Sequence, residues 1–115
     1  MIITKKYNEM EPVINPNGVK SWKLYDRENA QVVHLQFEKG ESLKPHITPV
    51  DVFFYVLEGK GSVLVGEEKI QVSAGTLVES PKDIVHCLYN EGDTPFRVLV
   101  NKVPRPAVLT SDSGK

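Results

Sequence analysis

The chain has 115 residues, of which 40% are hydrophobic and 25% are charged, as in ordinary globular domains. Its 14 basic and 15 acidic side chains are mixed along the sequence, so a nucleic-acid partner is not expected. The longest apolar run has six residues, too short to span a membrane, and the N-terminus shows no apolar segment of signal-peptide length. The single cysteine, Cys87, cannot form an internal disulfide, and we expect a cytoplasmic protein without a membrane partner.

Short apolar runs separated by turn residues follow one another along the whole chain, and none has the length or period of an amphipathic helix. After an irregular lead-in over residues 1–19, the alternation predicts eight strands, at 21–25, 31–37, 52–57, 62–65, 69–72, 76–79, 85–89 and 96–100. Many short strands at this spacing predict an all-β sandwich or jelly-roll barrel. We expect one domain with a barrel core at about 22–103 and a flexible tail at 107–115.

Two segments place a histidine just after a glycine turn, at the mouth of a short apolar strand. Residues 40–46 end in His46, and residues 75–90 contain His86. Two histidines presented from two strands of one small barrel are expected to meet inside it. There they are candidates to hold a metal ion or an organic ligand.

These segments make the chain resemble the cupins, which are read through the motifs G-x5-H-x-H-x3,4-E-x6-G and G-x5-P-x-G-x2-H-x3-N. The first motif is matched by Gly40, His46 and Gly59, and the second by Gly75, Pro81, His86 and Asn90, all at the family's spacing. The likeness extends from about Trp22 to Val103. It implies a double-stranded β-helix (jelly-roll) barrel and a homodimer.

The departures from the family pattern fall on its metal ligands. In cupins, two histidines and a glutamate of the first motif join the histidine of the second to hold a divalent cation. Here Thr48 replaces the second histidine and Val52 replaces the glutamate, so His46 and His86 are the ligands that remain. A catalytic metal site needs about three protein ligands, so at most one divalent transition metal, weakly held, is expected.

Strand alternation indicates which neighbours share the interior with the two histidines. Positions 46, 48, 52 and 54 have the inward parity, so Thr48, Val52 and Phe54 join His46 and His86 as predicted ligand-binding residues. Asp51 has the opposite parity. Glu79 is the best carboxylate to complete a metal site, although an exposed position is the better interpretation for it.

Three functional hypotheses follow, and the sequence leaves open whether the protein is an enzyme. The first is that the barrel binds a small molecule near His46 and His86, with neutral or weakly polar ligands favoured because two charged or basic ligands are lost. The alternative is a metal-dependent dioxygenase, isomerase or lyase that uses both histidines and an unidentified third ligand. The third is a barrel filled by its own side chains, with a structural role. Catalytic residues, substrate and reaction remain unassigned.

Other polar and aromatic side chains have plainer interpretations. His34 lies on the polar parity of its strand, which favours a surface or interface position. Phe53 and Tyr55 should point away from the barrel interior, into packing or a dimer interface. Cys87 should face away from His86, so no Cys-His pair is expected. Asn90 is predicted to tie down the turn that follows it.

Overall fold

The structure, a computed structural model, describes residues 1–107 and is built almost entirely of β-strands. A 3-10 helix, Tyr7–Glu9, precedes ten strands: β1 (Val13–Ile14), β2 (Lys20–Arg27), β3 (Ala30–Phe37), β4 (His46–Ile47), β5 (Asp51–Glu58), β6 (Lys60–Val65), β7 (Glu68–Ser73), β8 (Leu77–Ser80), β9 (Val85–Tyr89) and β10 (Phe96–Val103). In the part of the chain that is described, no helix is long and apolar enough to cross a membrane.

The strands form two antiparallel sheets that enclose the core. Sheet A has six strands in the order β1-β2-β3-β10-β5-β8, and sheet B has four in the order β4-β9-β6-β7. Strands adjacent in a sheet are often distant in sequence, as β10 is from β3 and β5, which is the crossing pattern of a jelly roll. The predicted all-β jelly-roll barrel is therefore confirmed.

Alternating side chains explain why both sheets can bury one face. Along β5, Val52, Phe54 and Val56 are buried, while the residues between them are exposed or half-buried. Each of the eight predicted strands is present, most of them one to three residues longer than predicted. The two strands that the pattern missed, β1 and β4, have two residues each, too few for a period of two to be recognised.

Turn residues act as the motifs predict. Asp83, which stands where the second cupin motif has its glycine after the proline, adopts a left-handed φ of +65°, a conformation that Asp tolerates better than most residues. The buried Asn90 amide donates to the carbonyls of Phe37 and Thr94, at 3.0 and 2.9 Å, and its Oδ1 accepts from the Gly92 N–H. The prediction that Asn90 ties down this turn is confirmed. The predicted flexible tail lies outside the described residues from position 108 onward.

Of the two positions predicted for His34, at the surface or at an interface, the surface position is wrong. His34 does lie on the outer face of sheet A, but it is only 1% exposed because the N-terminal segment covers it. The Tyr7 ring lies 4.2 Å from the His34 ring, and Trp22 packs beside both. Arg97 Nη1 donates to His34 Nε2 at 3.3 Å. Alternation assigned the correct face of the strand, but it carries no information about a distant segment that packs onto that face.

Candidate functional site

The two motif histidines meet inside the barrel as the sequence predicts. His46 on β4 and His86 on β9 are directly paired across sheet B, and their ring centroids lie 4.7 Å apart in an edge-to-face arrangement. Phe54, from the facing sheet A, places its ring 5.3 Å from His86, also edge to face. Both histidines are buried.

Hydrogen bonds fix the orientation of each imidazole ring. His46 Nδ1–H donates to the Lys44 carbonyl at 2.8 Å, which places the lone pair of the neutral ring on Nε2. His86 is held at both ends, by the Ser80 hydroxyl at Nδ1 (2.7 Å) and by the Thr48 hydroxyl at Nε2 (3.2 Å). A hydroxyl can donate or accept, so the pair satisfies either neutral tautomer of His86.

Lys102 is a member of the site that the sequence analysis missed. It lies on β10 at the end of the buried series Phe96, Val98, Val100, and it is 1% exposed with its Nζ shielded from solvent. Its cross-strand partner on β5 is Val52, whose partner on β8 is Ser80. The sequence did contain a signal for this position, because a lysine that continues the inward parity of an apolar strand is expected to point into the interior.

The interior space around these groups is small. A cavity of about 20 Å³ is lined by Val33, Leu35, Leu43, His46, Phe54, His86, Cys87, Leu88, Val100 and Lys102. This volume accommodates about one water molecule or a monatomic ion. Larger grooves, of about 400 and 320 Å³, lie on the surface, and the second includes Val52 and Ser80 in its wall. That groove therefore reaches Ser80, the residue whose hydroxyl contacts His86 Nδ1.

The five predicted ligand-binding residues are brought together at this place. His46, Phe54 and His86 line the cavity. Thr48 is buried with its hydroxyl on His86, and Val52 is buried beside Lys102 on the neighbouring strand. Their inward parity is confirmed, while their role in binding a ligand stays a prediction.

The side chains at this site do not fit the metal that the cupin pattern implies. Glu79 is exposed and Asp51 is also at the surface, where it accepts a hydrogen bond from the Lys82 N–H. Residues 1–107 contain no group of three His, Cys, Asp or Glu side chains arranged to hold a metal ion. Both ring nitrogens of His86 are hydrogen-bonded to hydroxyls, and the described residues that line the cavity include no carboxylate. A dication would therefore meet two imidazoles and no acidic ligand among these residues.

Comparisons with known proteins agree with this fold. The uncharacterised protein MJ1618 of Methanocaldococcus jannaschii is 26% identical over 90% of this chain and 87% of its own length. The crystal structure of TT1209 from Thermus thermophilus superposes with a TM-score of 0.78 at 27% identity, covering 89% of this chain and 97% of that one. KdgF from a Halomonas species superposes with a TM-score of 0.83 at 19% identity, covering 93% and 97% of the two chains, and shows the likeness of fold alone.

The family assignment comes from the sequence model for the cupin domain, which matches residues 33–101. This match covers more than half of the chain and contains both histidine motifs and the strands that carry them. Together with the two-sheet jelly roll and the buried pair His46–His86, it shows that the chain belongs to the cupin family.

Proposed function

We propose that this cupin binds a small polar ligand in the barrel cavity at His46 and His86, without a catalytic metal. The observation that carries the proposal is the double hydrogen bond that fixes His86 between Thr48 and Ser80. Oriented polar groups inside an otherwise apolar cavity are the usual make-up of a ligand site. Thr48 stands in the place of a family metal ligand, and its hydroxyl contacts His86 Nε2.

The size of the cavity limits the ligand to a few atoms. At about 20 Å³ the barrel is close to filled by its own side chains, so a larger molecule must displace some of them. The surface groove bounded by Val52 and Ser80 supports access from that side, because these two residues separate it from His86. A purely structural role remains the alternative if the cavity admits only water.

Histidine ring signals in NMR spectra can test this proposal with three probes of two or three heavy atoms: methanol, formamide and formate. At least one probe should shift the His46 and His86 signals to saturation and leave His34, on the outer face of sheet A, unchanged. In His86→Ala we expect the affinity for that probe to fall at least about tenfold, because the Thr48 and Ser80 hydroxyls lose the ring that fixes their orientation. Saturable binding that survives His86→Ala, or shifts confined to His34, would contradict the site.

A metal-dependent enzyme is the competing function. It predicts about one equivalent of bound metal per chain, whereas the proposal above predicts far less. Two imidazoles hold a transition metal weakly, so the protein dialysed against Co²⁺ should retain well below one equivalent per chain. Replacement of His46 by Ala should lower that small residual content further. Near one equivalent of Co²⁺, lost in His46→Ala, would show that a third ligand completes the site on metal binding.

We also propose a homodimer, which would use the outer face of sheet A. Leu99, Tyr55 and Leu77 are successive cross-strand partners on β10, β5 and β8, and Tyr55 and Leu77 are 38% and 51% exposed. An aromatic and two aliphatic side chains in one row form a surface that is apolar enough to pair with a second copy.

Light scattering should therefore report about twice the chain mass of 12.9 kDa. Leu77→Glu should reduce the mass to that of one chain, because a carboxylate would be buried without a partner. The matched control is Ile70→Glu, at a residue of similar exposure in sheet B. A wild-type protein with the mass of one chain would refute the dimer. The cytoplasmic location also stays a proposal, supported by the single, buried cysteine.

A further inference from the structure

We infer that the surface groove of about 400 Å³ beside sheet B is a second ligand site, which takes a small neutral polyhydroxylated molecule, a polyol or a monosaccharide. The site goes beyond the proposed function, because the groove and the barrel cavity have no lining residue in common in the described part of the chain. The volume of the groove falls within the range of small-molecule sites.

The floor of the groove is polar because of the register between β6 and β7. Ser62 is the cross-strand partner of Gln71, and Lys60 is the partner of Ser73. Alternation places these four side chains on the face of sheet B that points away from the core. An amide, two hydroxyls and an ammonium group are thus presented from two paired strands. Thr76, which follows β7, lines the same groove.

Glu91 forms one wall of the groove, and its carboxylate is held from two sides. Ser62, only 2% exposed, donates its hydroxyl proton to Oε1 at 2.5 Å, and Lys69 Nζ donates to Oε2 at 2.8 Å. The contact with Lys69 and then that with Ser62 hold the pKa of Glu91 below its usual range, so the group is ionised in neutral solution. A carboxylate has about four acceptor positions, so Glu91 can accept further hydrogen bonds from a ligand.

The loop that carries Glu91 is itself fixed. The preceding residue, Asn90, is buried, and its side-chain amide donates to the carbonyls of Phe37 and Thr94. Asn90 Oδ1 accepts from the N–H of Gly92, the other wall residue. Groups that are already in place lose little conformational freedom when a ligand binds, and this favours affinity.

The balance of these groups indicates the ligand class. Among the described residues that line the groove, Glu91 is the one acid and Lys60 the one base, so their charges cancel. The hydroxyls and the Gln71 amide both donate and accept hydrogen bonds, as the hydroxyl groups of a polyol do. An anion would meet the Glu91 carboxylate, and an apolar molecule would remove water from polar groups without replacing its hydrogen bonds.

An NMR titration with four probes tests this inference. The probes are glucose and inositol, which are polyhydroxylated, glycine, which is a zwitterion, and inorganic phosphate, which is an anion. Glucose or inositol should shift the backbone amide signal of Gly92 and the side-chain amide signals of Gln71 to saturation. The ring signals of His46 and His86, in the separate barrel cavity, should stay unchanged. Glycine and phosphate should give no saturable shift.

Two substitutions at the groove complete the test, with Gly92 as the reporter. Gln71→Ala removes the amide from an exposed position, and Glu91→Gln removes the charge but keeps the size of the side chain. The affinity for the bound polyol should fall about threefold in the first and about tenfold in the second, since a hydrogen bond to a charged group is the stronger. Glu67→Gln, at an exposed carboxylate between β6 and β7, is the matched control and should bind as the wild type does.

Three results would overturn the inference. Polyol affinity that is unchanged in both Gln71→Ala and Glu91→Gln would place the molecule elsewhere. Saturation by glycine or phosphate, but by neither polyol, would show that the groove takes a charged ligand. The absence of a saturable shift with all four probes would show that the groove is not a ligand site. None of these results bears on the barrel cavity, on which the histidine ring signals report separately.

Discussion

Gly59→Ala is expected to destabilise the protein by about 2–5 kcal/mol, a large part of the stability of a typical domain. Gly59 links β5 to β6 with a left-handed φ of +85°. A Cβ placed there would overlap the Pro95 carbonyl oxygen and lie 3.1 Å from the Pro95 carbonyl carbon. Both obstacles are backbone atoms, which cannot rotate away as a side chain can. Thermal unfolding should show a loss of at least roughly 10 °C in Tm.

The control for this prediction is Gly75→Ala. Gly75 has a similar φ of +91°, but a Cβ there would meet nothing within 4 Å. Its variant should therefore lose only the cost of the left-handed conformation, about 1–2 kcal/mol. The difference between the two variants measures the close approach of the Pro95 backbone alone. Equal losses of Tm would show that this approach is relaxed at little cost.

The free energy of unfolding should fall by about 3 kcal/mol as the pH drops from 6.5 to 4, through His34 alone. Burial, assisted by the positive charge of Arg97, lowers the pKa of His34 to about 4. The groups that face the ring are Tyr7 from the N-terminal helix, Trp22 from β2 and Arg97 from β10, and Glu58 binds the far side of the Arg97 guanidinium.

The sign follows from proton binding in the two states. Between pH 6.5 and 4 the unfolded chain carries a proton on this histidine and the folded chain does not, so acid favours unfolding. The contribution is present above the unfolded pKa of 6.5 and is lost progressively as the pH falls through the folded pKa of about 4. The pKa values of Asp26 and Glu91 are lowered. The stability that these two carboxylates contribute is therefore lost mainly in more acidic solution than that in which His34 is protonated.

Chemical denaturation at several pH values, with His34→Phe as the reference, isolates this effect. Phenylalanine preserves the packing against Tyr7 and Trp22 but cannot be protonated. The wild type should lose about 3 kcal/mol relative to the variant between pH 7 and pH 4. Parallel stability curves for the two proteins would show that protonated His34 is accommodated, for instance by movement of the N-terminal segment away from the ring.

Strand faces and turns, which depend on residues close together in the sequence, could be predicted without a structure. Alternation along β5 placed Val52 and Phe54 inside, and the motif spacing placed His46 and His86 together inside the barrel. The left-handed turn at Asp83 and the anchoring of the loop by Asn90 were also foreseeable. Each of these depends on the intrinsic geometry of a strand or turn, which a few adjacent residues determine.

Features that join distant parts of the chain were decided only by the tertiary structure. Lys102 is 50 positions from Val52, and the register that pairs them, with Ser80 beyond, depends on the order of strands in sheet A. His34 is buried because the segment around Tyr7 folds over it. The sequence alone thus determined the cupin barrel and its two central histidines, because these rest on local periodicity and spacing. The entry of Lys102 into the interior and the burial of His34 depend on long-range packing, which periodicity does not encode.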